Sequence, residues 1–139
     1  MIEILLPDLS KENFYEETLK TIECICDDYG IVEHFGTLSM ANQMICDYLE
    51  PKPSLSADVT FRIDNDEVSF EYLLRNGDFS SFAGDADENN TNMFVLKRLV
   101  DELSFSSDYD SLTTIFHVKT KMKVQRNLQH ATIHSRIFS

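Results

Sequence analysis

The chain has 139 residues, 42% of them hydrophobic, with ten Phe and five Tyr, which is enough apolar material for one folded domain with a real core. Its formal charge of −12 argues against nucleic acid as a partner, because phosphate backbones need clustered Lys and Arg. No apolar run approaches the roughly 18 residues of a membrane span, and the Met1-Ile2-Glu3-Ile4 start carries no secretory features, so no membrane partner and a cytoplasmic location are expected.

In chain order, residues 2–6 (IEILL) read as a short strand ended by Pro7-Asp8. Ser10 can cap a helix over about 11–28, with Phe14, Thr18, Ile22, Ile25 and Tyr29 as its buried stripe and Gly30 as its stop. Glu12, Glu16, Glu17 and Glu23 fall mostly on the outer, solvated face. A second helix spans about 31–49, with Val32, Phe35, Leu38, Ala41, Ile45 and Leu49 facing inward, stopped by Pro51 and Pro53. Val59, Phe61 and Ile63 then alternate, Asp64-Asn65-Asp66-Glu67 turns, and Val68, Phe70, Tyr72 and Leu74 alternate again, which is a β-hairpin. Residues 75–90 (RNGDFSSFAGDADENN) read as a long polar loop, of a length that is usually functional or mobile.

Met93, Leu96, Leu99, Val100 and Leu103 recur at helical spacing, with Lys97, Arg98, Asp101 and Glu102 on the other face. Asp108-Tyr109-Asp110-Ser111 is turn chemistry, and Leu112, Thr114, Phe116 and Val118 form one face of a strand. The order β-α-α-β-β-loop-α-β-β predicts an α+β two-layer sandwich, helices on one face of a mostly antiparallel sheet. No repeat or linker divides it. Residues 120–139 form a basic tail whose apolar Val124, Leu128, Ile133 and Ile137 fit helix, strand or disorder equally. The charge is uneven: residues 1–50 hold eleven acids against Lys11 and Lys20, and no acid follows Asp110, whereas Lys119, Lys121, Lys123, Arg126 and Arg136 do. A basic end on an acidic body folds back or contacts an acidic partner more often than it binds DNA.

Cys24, Cys26 and Cys46 lack a Cys-x-x-Cys pair and read as buried, reduced thiols, the metal alternative needing Cys24, Cys26 and His34 to converge. His34, His117, His130 and His134 show no metal spacing, and neither a Walker loop nor Gly-x-Ser-x-Gly is present.

The wording Phe94-Val95-Leu96-Lys97-Arg98-Leu99-Val100-Asp101-Glu102-Leu103-Ser104-Phe105, followed by a polar turn and a strand, resembles the closing segment of histidine-kinase-like ATPase domains. The branch it is most similar to is that of the bacterial anti-sigma-factor serine kinases, and the resemblance covers residues 1–119. It implies a nucleotide site with three stations. On the second helix the family places a Glu base and, four residues on, an Mg²⁺-holding Asn; here Met40 and Met44 stand there, or Asn42 and Cys46 if the register shifts by two. Neither register supplies a carboxylate, and a thioether is a poor ligand for Mg²⁺. After the hairpin the family's Asp-x-Gly reads adenine; here Gly77 is kept but Arg75 replaces the Asp, and guanidinium cannot accept a hydrogen bond. Asp78 is the nearest substitute. At the third station Asn90 and Asn92 replace phosphate-cradling glycines, behind Asp85, Asp87 and Glu88.

The resemblance therefore implies a regulatory protein-binding module that has lost the kinase, with no cofactor and no catalytic or metal residue. Its expected partner is a sigma factor, a sigma-factor antagonist or a second copy of itself. The alternative is a working ATP-binding kinase or ATPase, using Mg²⁺, in which Asn42 or Asp78 compensates. A third reading is a binder of another small ligand in a cleft lined by Met40 and Met44.

Overall fold

The computed structural model describes residues 1–84 and 91–121. Its elements are β1 (Ile2–Ser10), α1 (Phe14–Asp28), α2 (Phe35–Leu49), β2 (Ser56–Ile63), β3 (Val68–Leu74), α3 (Ser80–Gly84), α4 (Thr91–Leu99), β4 (Glu102–Phe105) and β5 (Ser111–Phe116). The five strands form one antiparallel sheet in the order β1-β2-β3-β5-β4. Alternate residues of each central strand enter the core: Val59, Phe61 and Ile63 from β2, Val68, Phe70 and Tyr72 from β3, and Leu112 and Phe116 from β5. They meet Ile22 and Ile25 of α1, Leu38, Ala41 and Ile45 of α2, and Met93 and Leu96 of α4. Their strand neighbours on the other face, such as Thr60, Arg62, Glu71 and Thr113, stay partly exposed. The architecture is α+β and compatible with a two-layer sandwich.

The expected α1 stripe, including Tyr29, is buried, and Gly30 closes the helix at φ +67°. The central hairpin pairs Ile63 with Val68 and Phe61 with Phe70, as the alternation predicts.

Five expectations need correction. The first strand does not end at Pro7 but runs to Ser10 through a bulge between Leu6 and Leu9. One extra residue there flips the side-chain parity, so Leu9 enters the core and Asp8 does not. Asp8 takes a positive φ of 54° and donates its N–H to Asp58 Oδ1 (2.8 Å). Second, Ser10 does not cap α1. Asn13 precedes the helix, and its Oδ1 turns back to accept from the Ser10 N–H at 2.9 Å.

Third, Val32 is 59% exposed and Ile31 is buried in its stead, because residues 32–34 form a 3₁₀ turn that offsets the stripe before α2 begins. Fourth, the polar loop after β3 contains α3, and its Phe79 and Phe82 are fully buried. Fifth, the helix expected to reach Leu103 stops at Leu99. The Val100 N–H still bonds Leu96 O, but the Asp101 N–H bonds Ile115 O at 2.9 Å, and β4 then pairs with β5. Edge pairing on β5 outweighs the helical period of residues 93–103, an override of local preference by tertiary contact.

Beyond β5 the chain remains tied to the body. Val118 N–H bonds Asp66 O, Thr120 N–H bonds Asn65 O and Lys121 N–H bonds Tyr29 O at 3.0 Å, while Thr120 Oγ1 donates to Asp64 O at 2.7 Å. Thr120 and Lys121, on the tail side of the sequence-based boundary, thus strap the β2–β3 turn to the end of α1. The rest of the tail lies outside the described residues. A chain ending at Phe116 is expected to unfold about 2–4 kcal/mol more easily than one ending at Lys121, from the hydrogen bonds that residues 117–121 make to the body and the lost burial of Val118. Urea titration of the two truncations checks this; equal midpoints would show the strap to be idle.

Candidate functional site

On α2, two residues of rotation, about 200°, separate Met40 from Asn42. Met40 points outward and is 50% exposed, and Met44, one turn on, is partly buried against the core. Asn42 points the other way and is completely buried. Its Oδ1 accepts from Tyr72 OH at 2.8 Å, and its Nδ2 donates to Thr18 Oγ1 at 2.9 Å. Thr18 Oγ1 in turn donates to Phe14 O at 2.8 Å. Asn42 is thus held on both sides by β3 and α1. The shifted register offers Cys46 as its second residue, and that thiol is also buried. Burial pushes its pKa up to about 12, a hydrogen bond with Thr18 pulls it down and Asp47 adds to the rise, so it stays a neutral thiol.

At the second station Arg75 faces the sheet surface away from α1 and α2. Its Nη2 grips Asp58 of β2 at 3.0 and 2.9 Å, and its Nη1 meets Asp8 Oδ1 at 2.9 Å. The Arg75 hydrogen bonds, with help from the Asp8 N–H, hold the Asp58 carboxyl below the usual carboxylate range. Arg75 is therefore a clamp on the β1 bulge. Asn76 bonds the backbone at Ser54 and Ser56 through its side chain, fixing the turn into β2. Gly77 has open space where a side chain would project, so neither close approach nor backbone conformation demands glycine there. Asp78 heads α3: its Oδ1 accepts from the Ser80 N–H (3.0 Å) and the Ser80 hydroxyl (2.6 Å), and these bonds hold its carboxyl below the ordinary value.

The space between α2 and the segment after β3 is filled by aromatic rings, which sequence reasoning missed. Tyr48 of α2 stacks on Phe82 (ring centroids 4.4 Å apart) and on Phe79 (5.9 Å), and Phe79 packs on Phe105 of β4. The Tyr48 hydroxyl and Ser81 Oγ share a hydrogen bond of 2.6 Å, and Lys52 Nζ lies 4.7 Å from the Tyr48 ring centre. Tyr109 supports the wedge from the β4–β5 hairpin. It adopts φ 60°, unusual for an aromatic residue, and in that conformation its carbonyl accepts from the Phe79 N–H at 2.6 Å. The available signal was the i, i+3 spacing of Phe79 and Phe82, hidden among Gly, Ser and Asp.

The third station is only partly within view. Asn92 sits in the first turn of α4, half-buried. Asn90, with Asp85, Asp87 and Glu88, lies outside the described residues. The structure thus puts Met40 and Asn42 on one helix facing opposite ways, with Met44 against the core, and puts Arg75 on the far face of the sheet. Among the described residues it does not gather the seven candidate positions into one cluster.

Among the described residues no three His, Cys, Asp or Glu side chains group as metal ligands would. Cys26 is buried and its thiol is pushed up to about 11, mainly by burial and then by Asp27 and Glu33, whereas Cys24 is exposed, contrary to the expectation that all three thiols lie inside. His117 is a surface residue whose Nε2 lies 3.0 Å from Glu102. No helix among the described residues is long and apolar enough to cross a membrane. No family model matches the chain, and no curated protein matches it.

Asn42→Ala is expected to cost about 2–4 kcal/mol, since it leaves the buried Tyr72 hydroxyl unpaired and opens a cavity, while Met40→Ala changes stability by less than about 0.5 kcal/mol. Urea unfolding of both variants tests the assignment, and a mild Asn42→Ala would refute it. The Asp58 clamp has a definite pH sign. Its folded pKa lies below the unfolded value of about 3.9, so its stabilisation is present above that value and is lost as pH falls through the folded pKa. Between pH 5 and 2, wild type is expected to lose more stability than Asp58→Asn; parallel curves would show the clamp to be electrostatically silent.

Proposed function

We propose that the chain is a regulatory protein-binding module on the scaffold of the anti-sigma-factor branch of histidine-kinase-like ATPases, without phosphoryl transfer. The observation that carries this reading is the fate of α2. Of the four candidate positions on α2, the amide of Asn42 is bound on both sides inside the core, Cys46 and Met44 are wholly or partly buried, and exposed Met40 is a thioether. Magnesium prefers hard oxygen ligands and a phosphoryl acceptor needs a base, and α2 directs neither toward a nucleotide.

Two further features support it. The Phe79–Phe82–Tyr48 wedge occupies the space between α2 and the segment whose family counterpart reads adenine. Arg75, at the adenine-reading position, is engaged with Asp58 and Asp8 on the other side of the sheet. The histidine-kinase-like fold itself is part of the proposal. It rests on the element order and on the wording of residues 94–105. By the same resemblance the partner is a sigma factor, its antagonist or a second copy of the chain.

Calorimetric titration with ATP and ADP, with and without Mg²⁺, tests the reading. No heat of binding is expected up to millimolar nucleotide. Micromolar, Mg²⁺-dependent binding would overturn it and reinstate an ATP-binding kinase or ATPase with unusual ligands.

A further inference from the structure

A pocket of about 200 Å³ opens between the start of α1 and the end of α2, away from the aromatic wedge. Its floor is Phe14, Leu49 and Leu55, all buried. Among the described residues its rim carries Asp47 and Glu50 against one cation, Lys11. Gln43 donates to Asp47 Oδ1 at 2.7 Å and so holds that carboxylate at the mouth. Glu12 and Glu16 are exposed next to Lys11 and Tyr15 in the chain, which extends the acidic surround.

From this geometry we infer that the pocket takes one apolar side chain of a positively charged segment of a partner protein, an inference that rests on the protein-binding reading above. Size favours a side chain over a metabolite, since small-molecule sites typically run to about 300–1,000 Å³. The floor supplies no orienting polar group: the Cys46 thiol beside it is neutral, and Asn42 is engaged elsewhere. Charge favours a basic neighbour for that side chain, because the rim acids would repel an acidic one and draw a cationic one in. The occupant is thus an apolar anchor flanked by Lys or Arg.

The test uses the full-length, ¹⁵N-labelled chain and a short synthetic peptide of alternating Lys and Leu. Saturable amide shifts are expected at Phe14, Leu49 and Leu55. A peptide with Ser for Leu is expected to lose this response, and so is one with Glu for Lys. Glu50→Lys should weaken binding about tenfold and Lys11→Glu should strengthen it. Glu50→Lys is compatible with folding, because Glu50 is exposed at the C-terminal end of α2, where a cation suits the helix dipole.

Shifts spread over the acidic surface without those three residues would overturn the inference, as would an unchanged Kd in Glu50→Lys or equal binding of the Ser peptide. Tighter peptide binding after replacing Lys123 and Arg126 with Ser would make the chain's own end the occupant and overturn the partner assignment. The two proposals fail separately. A chain silent to nucleotide whose pocket ignores the peptide loses only the pocket, and one that binds ATP yet takes the peptide loses only the pseudo-enzyme reading.

Discussion

Three side chains, Tyr72, Asn42 and Thr18, form one buried hydrogen-bonded chain from the sheet through α2 to α1. In a low-dielectric interior such a chain holds firmly when complete and is costly when broken, so it specifies one arrangement of its elements. It sets the rotation of α2 about its own axis. With Asn42 pinned inward, Met40 must face solvent and Met44 must lie along the flank, given about 100° per residue. Turning α2 to present an amide to a ligand would leave Tyr72 OH without its acceptor and take the amide donor from Thr18 Oγ1. The inward face of α2 at Asn42 is thereby fixed as a structural element.

The edges of the fold follow from related constraints. β1 is an outer strand, and Pro7 and the bulge at Leu6–Leu9 interrupt its free side, which discourages pairing with other chains. The bulge needs a residue at positive φ, and Asp8 fills that position with a bond to Asp58 and an ion pair to Arg75. At the other end of the same strand pair, the strap through Thr120 and Lys121 crosses from the β2–β3 turn to Tyr29. Between them the aromatic wedge binds α2, α3 and the β4–β5 hairpin, and the strained Tyr109 backbone is the local cost of presenting its carbonyl to Phe79.

These commitments leave the helix layer as the chemically expressive surface. The two interior thiols are held neutral by burial. What remains outward on α1 and the end of α2 is mostly carboxylate around one apolar pocket.

The amphipathic stripes of α1 and most of α2, the central hairpin and the alternation of β5 were legible in the sequence, because their periods of 3.6 and 2 report directly which side is buried. The tertiary structure decided the rest. Residues 99–105 left the helical period because β5 offered a strand partner. The bulge at Pro7-Asp8 was visible only once β2 set the register. Phe79 and Phe82 entered the core from a stretch whose polar composition masked them. Asn42 looked like a free ligand until Tyr72 and Thr18, 30 and 24 residues away in the chain, were seen to claim both ends of its amide. Local pattern carries the burial of each element against an unspecified interior, whereas hydrogen-bond partners are chosen only when distant segments meet.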